Sequence, residues 1–467
     1  MVQISITSSH DGGNITVSSK PSISITGKTA KATVFLSVRP DVYTQLEKIA
    51  HMQYFSFRSF ISGLKKDIKL LTVEYIIENA HAVSYPEAWP GSTVCYSDKS
   101  LESQDDIAWK RNLSTKYIDG KLKWTHVHNA NGSTFFSYWP PYTYNRHLKL
   151  ISDCSTMIAS KKEMTQYNPV VESLGTTLQG REMECISIGN GDLVAWIIHR
   201  QHPGETMAEF YAEGLLHRLM GVDGELDDVT KQVFTKYRLY VVPCMCPDGA
   251  VMGHLRTNMV GANLNREWAT INEDYEAPSL ERSPEVYAVL NKMDETGCDF
   301  FLDVHGDEEL PYVFLSGAEK TPKWGERMEH LHGYFVSCYQ RSNSDVQKEI
   351  GYPPPESEEK AVAYMNVGTN QVSNRFDCLG LTLEMPYKDC ATNPDPDNGF
   401  SPARAKTLGK SLLEALDDMS PFLRADGQFW TAFSDDDKYV GPTDNYKEEG
   451  FVMLKKRFYS DVRPHDQ

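Results

Sequence analysis

The sequence lacks a long apolar run. No segment approaches the ~18 unbroken apolar residues that a membrane-spanning helix needs, so none is expected and no membrane partner is called. It also lacks positive charge. Its 47 Lys and Arg stand against 64 Asp and Glu, a formal net charge of −17, whereas binding to phosphate backbones requires a basic field; nucleic acid is not an expected partner. There is no internal repeat and no low-complexity linker. The opening residues, MVQISITSSHDGGN, show neither the basic n-region nor the apolar h-region of a signal peptide. Cysteine is sparse and odd in number. The nine residues, scattered from Cys95 to Cys390, are expected to be reduced and buried, which points to the cytoplasm. Cys244 and Cys246 form a CxC in VVPCMCPDG. Read as a strand, that stretch turns both thiols to one face, where packing is the plainer reading than metal binding.

What is present is a globular composition, 40% hydrophobic and 24% charged, in a chain of 467 residues, too long for one typical core. Residues 1–145 carry short alternating runs (QISITSS, KATVFLSV, MQYFSFRSFI, KLLTVEYII, GKLKWTHV, STFFSYW) separated by Gly, Asn, Asp and Pro turns. This pattern predicts an antiparallel β-sandwich. From about residue 150, strand-like runs alternate with helical periodicity. DLVAWIIH precedes a helix from Glu205 to about Met220, and YRLYVVPCM precedes a helix near 284–295. DFFLDVH and YVFLS precede a helix near 323–340, and LGLTLEMP precedes SPARAKTLGKSLLEAL. That alternation predicts an α/β layer structure over 146–420. Residues 421–467 form an acidic extension to which the sequence assigns no role. GYPPPESEEK, 351–360, reads as a solvated surface excursion, with a lid over a site as the functional alternative.

In open α/β sheets, ligands bind beyond the strand C-termini. His199 and His202 follow VAWII, Pro247-Asp248 follows YVVPCM, His305 follows FFLDV and Glu384 ends LGLTL. His202 and Glu205 stand three apart at a predicted helix start, where Pro203 is tolerated, so the pair can point the same way. A catalytic zinc takes three protein ligands and keeps one open position. His305 is a candidate third ligand, with Asp303 two residues earlier on the same strand face as a candidate orienting partner. His199 competes, and His305/Glu308 repeats the same spacing, so these residues by themselves leave the ligand set open.

Taken in order, HPGET, CPDG, RTNMVGANLNREW, FLDVHGDEE and LTLEMPYKD resemble the zinc metallocarboxypeptidases, and within them the cytosolic carboxypeptidase branch. DGGNITV and SYWPPYTYNRH resemble that branch's accessory β-domain and its junction with the catalytic domain. The resemblance runs over about residues 1–420. It implies an α/β/α sandwich around a mixed sheet, one Zn2+ per chain held by His202, Glu205 and His305, and a peptide or protein C-terminus as partner. It places Arg256 on the arginine that stabilises the carbonyl oxygen, Asn265 and Arg266 on the grip for the terminal carboxylate, and Glu384 on the catalytic base. Tyr364 stands at about the separation from Glu384 of a mobile tyrosine found in secreted relatives. The branch often removes glutamate from glutamate-rich C-termini, which would require a cation for the terminal side chain; Arg375 and Lys388 are the candidates. A zinc deacylase of small N-acyl amino acids and a non-catalytic module that binds peptide C-termini are the competing readings.

Overall fold

The computed structural model describes residues 2–43, 50–64, 68, 70–99, 101, 108–128, 131–272 and 277–438. Two sheets form between Gln3 and Ser137. One orders Gln3–Thr7, Ser56–Ser62, Gly132–Ser137, Val94–Ser97 and Lys110–Asn112. The other orders Thr16–Val17, Thr29–Ser37, Leu70–Ile77, Lys121–His128 and Lys116–Ile118, with Ser22–Thr26 also paired to Thr29–Ser37. Alternation along each strand turns one side chain in two inward. The result is an aromatic layer between the sheets, where Phe136 packs on Tyr75 at 4.8 Å and Phe57 on Trp124 at 6.2 Å between ring centroids. The pairing is antiparallel with one exception. Thr29–Ser37 runs parallel to Leu70–Ile77, because the chain between them crosses to the other sheet as Ser56–Ser62 and re-enters in the same direction.

The helix Tyr144–Ser160, capped by Thr143, leads into a seven-stranded mixed sheet. Its centre is four parallel strands in the order Tyr237–Val242, Leu193–His199, Phe300–Asp307, Leu379–Pro386. Antiparallel strands close both edges: Glu182–Ile188 and Val170–Thr176 on one side, Phe314–Gly317 on the other. Both faces are covered, which is why these strands read as continuous apolar runs. In Leu193–His199, Ala195 and Ile197 join the core shared with the helices Met207–Leu219, Glu326–Ser342 and Leu412–Met419. Trp196 and Ile198 join the opposite core, under Pro284–Thr296 and Gly368–Phe376. This is an α/β/α sandwich with a mixed sheet, preceded by a β-sandwich.

The predicted helices begin and end within a few residues of the observed ones. The Cys244/Cys246 stretch differs: the strand stops at Val242, and Cys246 stands at the N-terminus of the short helix Pro247–Met252. Both thiols are buried and free. The first part of the extension packs on the α/β layer through Phe433, stacked on Tyr334 at 4.2 Å; residues 439–467 lie outside the described residues. Among the described residues, no helix is long and apolar enough to cross a membrane.

Candidate metal centre and substrate pocket

The C-terminal ends of the parallel strands converge on one cavity lined by His202, Glu205 and His305 together with Arg256, Asn265, Arg266, Tyr364 and Glu384. The first strand ends at His199, and the chain then reverses sharply. Arg200 adopts φ 57°, a left-handed conformation unusual for a residue with a side chain. Its guanidinium holds the turn from inside, donating to the carbonyls of Pro203 at 2.8 Å and Tyr142 at 3.0 Å and pairing with Glu209. Gly204 passes so close to Leu255 that a Cβ would lie 2.9 Å from that residue's carbonyl oxygen. The HPGE sequence is thus a turn pressed against the segment that carries Arg256.

His202 and His305 both turn Nδ1 toward Glu205, at 2.7 Å from Oε1 and 2.8 Å from Oε2. Their far nitrogens meet oxygen acceptors. His202 Nε2 lies 3.1 Å from Asn263 Oδ1, and His305 Nε2 lies 2.8 Å from Asp303 Oδ2. Each ring therefore has an oxygen acceptor at both nitrogens; with a metal on Nδ1 the ring N–H falls on Nε2, where Asn263 and Asp303 would accept it. The three ligand atoms lie within 4.8 Å of one another. Two imidazole nitrogens and a carboxylate oxygen suit zinc, so the residues present fit it. The local field agrees. Burial pushes the Glu205 carboxyl up, but the two imidazoles outweigh it and hold the group well below the usual carboxylate range. Burial, reinforced by Arg256 and His305 against the pull of Glu205, drives His202 down to about 4, so it is neutral at neutral pH. For His305, burial is outweighed by Asp303 and Glu205, which raise it well above the ordinary value; this is a place that favours positive charge.

Asp303 is itself held in a relay. Gln201 Nε2 donates to its Oδ2 at 2.6 Å, and Trp268 Nε1 donates to Gln201 Oε1 at 2.9 Å. His199 stays outside the triad; its Nδ1 meets the Val242 carbonyl at 2.9 Å. Glu209 lies on the following helix, between Arg200 and His147.

Glu384 is the register partner of His305 on the adjacent parallel strand, which sets it beside the triad. Burial pushes its carboxyl well above the carboxylate range, opposed by His305 and reinforced by Glu205, Asp307 and Glu308. Its Oε1 accepts from the Tyr352 hydroxyl at 3.2 Å, and the same hydroxyl lies 2.6 Å from Asp307 Oδ2. Tyr352 belongs to the Pro-rich stretch that reads in sequence as a solvated excursion. Residues 356–360 are exposed, as that reading expects, while Tyr352 at the start of the stretch borders the cavity, as the lid alternative expects. Arg256 Nη1 donates to the hydroxyl of Tyr85, a residue of the β-sandwich. Asn265 accepts at Oδ1 from the Gly368 N–H at 2.9 Å, and Arg266 Nη1 donates to the Asn265 carbonyl at 2.9 Å.

Arg375 is a correction. Its guanidinium forks onto Asp294 at 2.6 and 2.7 Å on the protein surface, and it does not line the cavity. It stands near the C-terminus of its helix, on a turn that faces the neighbouring helix Pro284–Thr296 rather than the sheet edge. Lys388 does not line the cavity either. Tyr352 lies in the stretch offered as a lid, whereas sequence reading missed Asp41, Tyr85 and Asn263. Only Asn263 carried a signal, its place in the NLNREW motif.

The zinc carboxypeptidase family model matches residues 157–408, more than half of the chain, and the model of the cytosolic carboxypeptidase N-terminal domain matches residues 6–139. An uncharacterized protein of Zymomonas mobilis is 37% identical over 388 residues, which cover 83% of this chain and 93% of that protein. A metallo-carboxypeptidase from Burkholderia cenocepacia superposes with a TM-score of 0.75 at 33% identity, over 89% of this chain and 99% of that one. A metallo-carboxypeptidase from Pseudomonas aeruginosa, solved in complex with (2-guanidinoethylmercapto)succinic acid, superposes with a TM-score of 0.74 at 33% identity, over 90% of this chain and 100% of that one. The chain belongs to the zinc carboxypeptidase family and is a metallocarboxypeptidase. More particularly, its N-terminal sandwich matches the cytosolic carboxypeptidase N-terminal domain, and cytosolic carboxypeptidase 6 of Mus musculus is 25% identical over 191 residues, which cover 39% of this chain and 33% of that protein.

Proposed function

We propose that the chain is a zinc exopeptidase that removes single residues from peptide or protein C-termini, with zinc held by His202, Glu205 and His305 and with Glu384 as general base. The observation that carries this reading is the convergence in one cavity of the three-ligand set, a buried carboxylate beside it and two arginines. When bound, zinc supplies Lewis-acid activation of water and of the scissile carbonyl. Glu384 removes the proton of the attacking water and returns it to the leaving amine; its raised proton affinity suits both halves of that transfer. Arg256 faces the developing oxyanion with a fixed charge, worth ~3–4 kcal/mol in comparable sites. Arg266 and Asn265 receive the terminal carboxylate, which a mid-chain peptide does not have. Nine free, buried cysteines support a reducing compartment such as the cytoplasm.

A preference for terminal glutamate would need a cation where the terminal side chain sits. The pairing of Arg375 with Asp294 weighs against that preference. The test is hydrolysis of C-terminal peptides by the zinc-loaded protein, with N-acyl amino acids and a chelator-treated sample as controls. Release of terminal residues that stops on zinc removal supports the reading. Turnover of N-acyl amino acids alone would replace it with a deacylase, and binding without turnover would replace it with a recognition module.

A further inference from the structure

The part of the cavity that lies along the sheet from Glu384 is built from hydroxyls. Ser316 and Thr382 are register partners on adjacent antiparallel strands, and Thr369 Oγ1 lies 2.7 Å from Thr382 Oγ1. Thr382 precedes Glu384 by two residues, so both side chains leave the same face of the strand. All three hydroxyl residues line the cavity, with Asn370 next to Thr369 and Val367 just before the same helix. Among the described residues, the cations in the lining are Arg256 and Arg266, and the reading above engages both, one at the carbonyl oxygen and one at the terminal carboxylate. The remaining charges of the lining, outside the zinc triad, are the carboxylates Glu308 and Glu384.

We propose that this hydroxyl-lined pocket receives the terminal side chain and selects a neutral hydrogen-bonding one (serine, threonine, asparagine or glutamine) over glutamate or aspartate. The inference rests on the exopeptidase reading. A second carboxylate on the terminal residue would lose its water among these neutral groups, and the described lining offers no cation beyond Arg256 and Arg266 to meet it; burying an unpaired charge is costly. A hydroxyl or amide can both donate to and accept from the Ser316, Thr369 and Thr382 hydroxyls. Thr369 and Thr382 share one hydrogen bond, and a large apolar side chain would dry their remaining lone pairs and the Ser316 hydroxyl without replacing the water. The methyl groups of the threonines and Val367 suit the short alkyl part of a polar residue.

The experiment uses the full chain loaded with zinc and one peptide sequence ending in Ser, Thr, Asn, Gln, Leu, Glu, Asp, Lys or Arg. Release of the terminal residue gives kcat/KM. Calorimetric titration of the same peptides into zinc-loaded Glu384→Gln gives affinity independently of turnover. The expected result is that the neutral polar termini exceed Glu and Asp at least about ten-fold in both series. Thr369→Arg should raise the Glu-ended peptide relative to the Thr-ended one by a similar factor. Ser316→Lys, at a half-buried position, repeats that test where arginine at the buried Thr369 site impairs folding. Equal or better use of Glu-ended peptides, or a preference for Lys, Arg or Leu, overturns the proposal. If no peptide is cleaved, the exopeptidase reading fails while the affinity series still decides the pocket. If none binds either, both fail.

Discussion

Asp41 of the β-sandwich lies 2.8 Å from the backbone nitrogen of Arg256, 215 residues further along the chain. The same carboxylate accepts the N–H groups of Leu255 at 2.6 Å and Thr257 at 2.9 Å and the Thr257 hydroxyl at 3.0 Å. One buried side chain from the accessory domain therefore fixes the loop that carries the arginine proposed to face the oxyanion, and Tyr85 meets that arginine's guanidinium.

Asp41→Ala strips three backbone donors of their acceptor. We expect kcat to fall about ten- to a hundred-fold, ~1.4–2.7 kcal/mol of transition-state stabilisation, with zinc content unchanged. Asp41→Asn, which keeps one carbonyl oxygen, should recover part of the loss. Steady-state kinetics beside metal analysis checks this, and a change in KM alone would assign Asp41 to binding instead.

Glu384→Gln keeps the side chain's shape and removes its basicity. Turnover should drop by roughly two to four orders of magnitude, the usual contribution of a positioned base, while zinc stays stoichiometric. Near-normal turnover would mean that another group takes the proton.

Asn263 and Asp303 hold the far nitrogens of the two imidazoles. Asn263→Ala and Asp303→Asn should each weaken zinc about ten- to a hundred-fold, read by competition with a chelator. Unaltered affinity in both would show that the ring orientations are fixed by packing alone.

Glu285, in the first turn of Pro284–Thr296, is wholly buried, and Asn258 Nδ2 donates to its Oε2 at 3.3 Å. Burial pushes its carboxyl up to about 8; Asp248 and Glu267 add to this and hydrogen bonding opposes it. The unfolded chain releases that proton near pH ~4.3, so the folded state binds the extra proton between there and about 8. Stability is full below the lower value and declines as pH rises through the window, by an amount on the order of a few kcal/mol. Glu285→Gln remains neutral, so its melting temperature should fall less than the wild type's across the same range. Parallel curves for the two proteins would sink this assignment.

Arg375→Ala removes an exposed ion pair with Asp294, each partner about 40% exposed. The expected cost is under ~1 kcal/mol, with the order of preference among terminal residues unchanged. A shift in that order would return Arg375 to the pocket.

The sequence by itself determined what local rules encode. Period-two runs dictated the sandwich strands, and the alternation of strand-like runs with helical periodicity dictated an α/β layer. The spacing of His202 and Glu205 at a turn into a helix suits two ligands on one side. The two-residue step from Asp303 to His305 set both on one strand face. Which distant groups meet was decided only by the tertiary structure. Strand register put Glu384 beside His305, and packing of the first domain's connecting segments against the α/β layer brought Asp41 and Tyr85 onto Arg256. Tyr352 of a Pro-rich loop came to rest on Glu384, and a neighbouring helix claimed Arg375. Periodicity records which way a side chain leaves the backbone. It carries no information about the charge or hydroxyl that waits for it from a segment a hundred or more positions away, and the selectivity of this cavity depends on such neighbours.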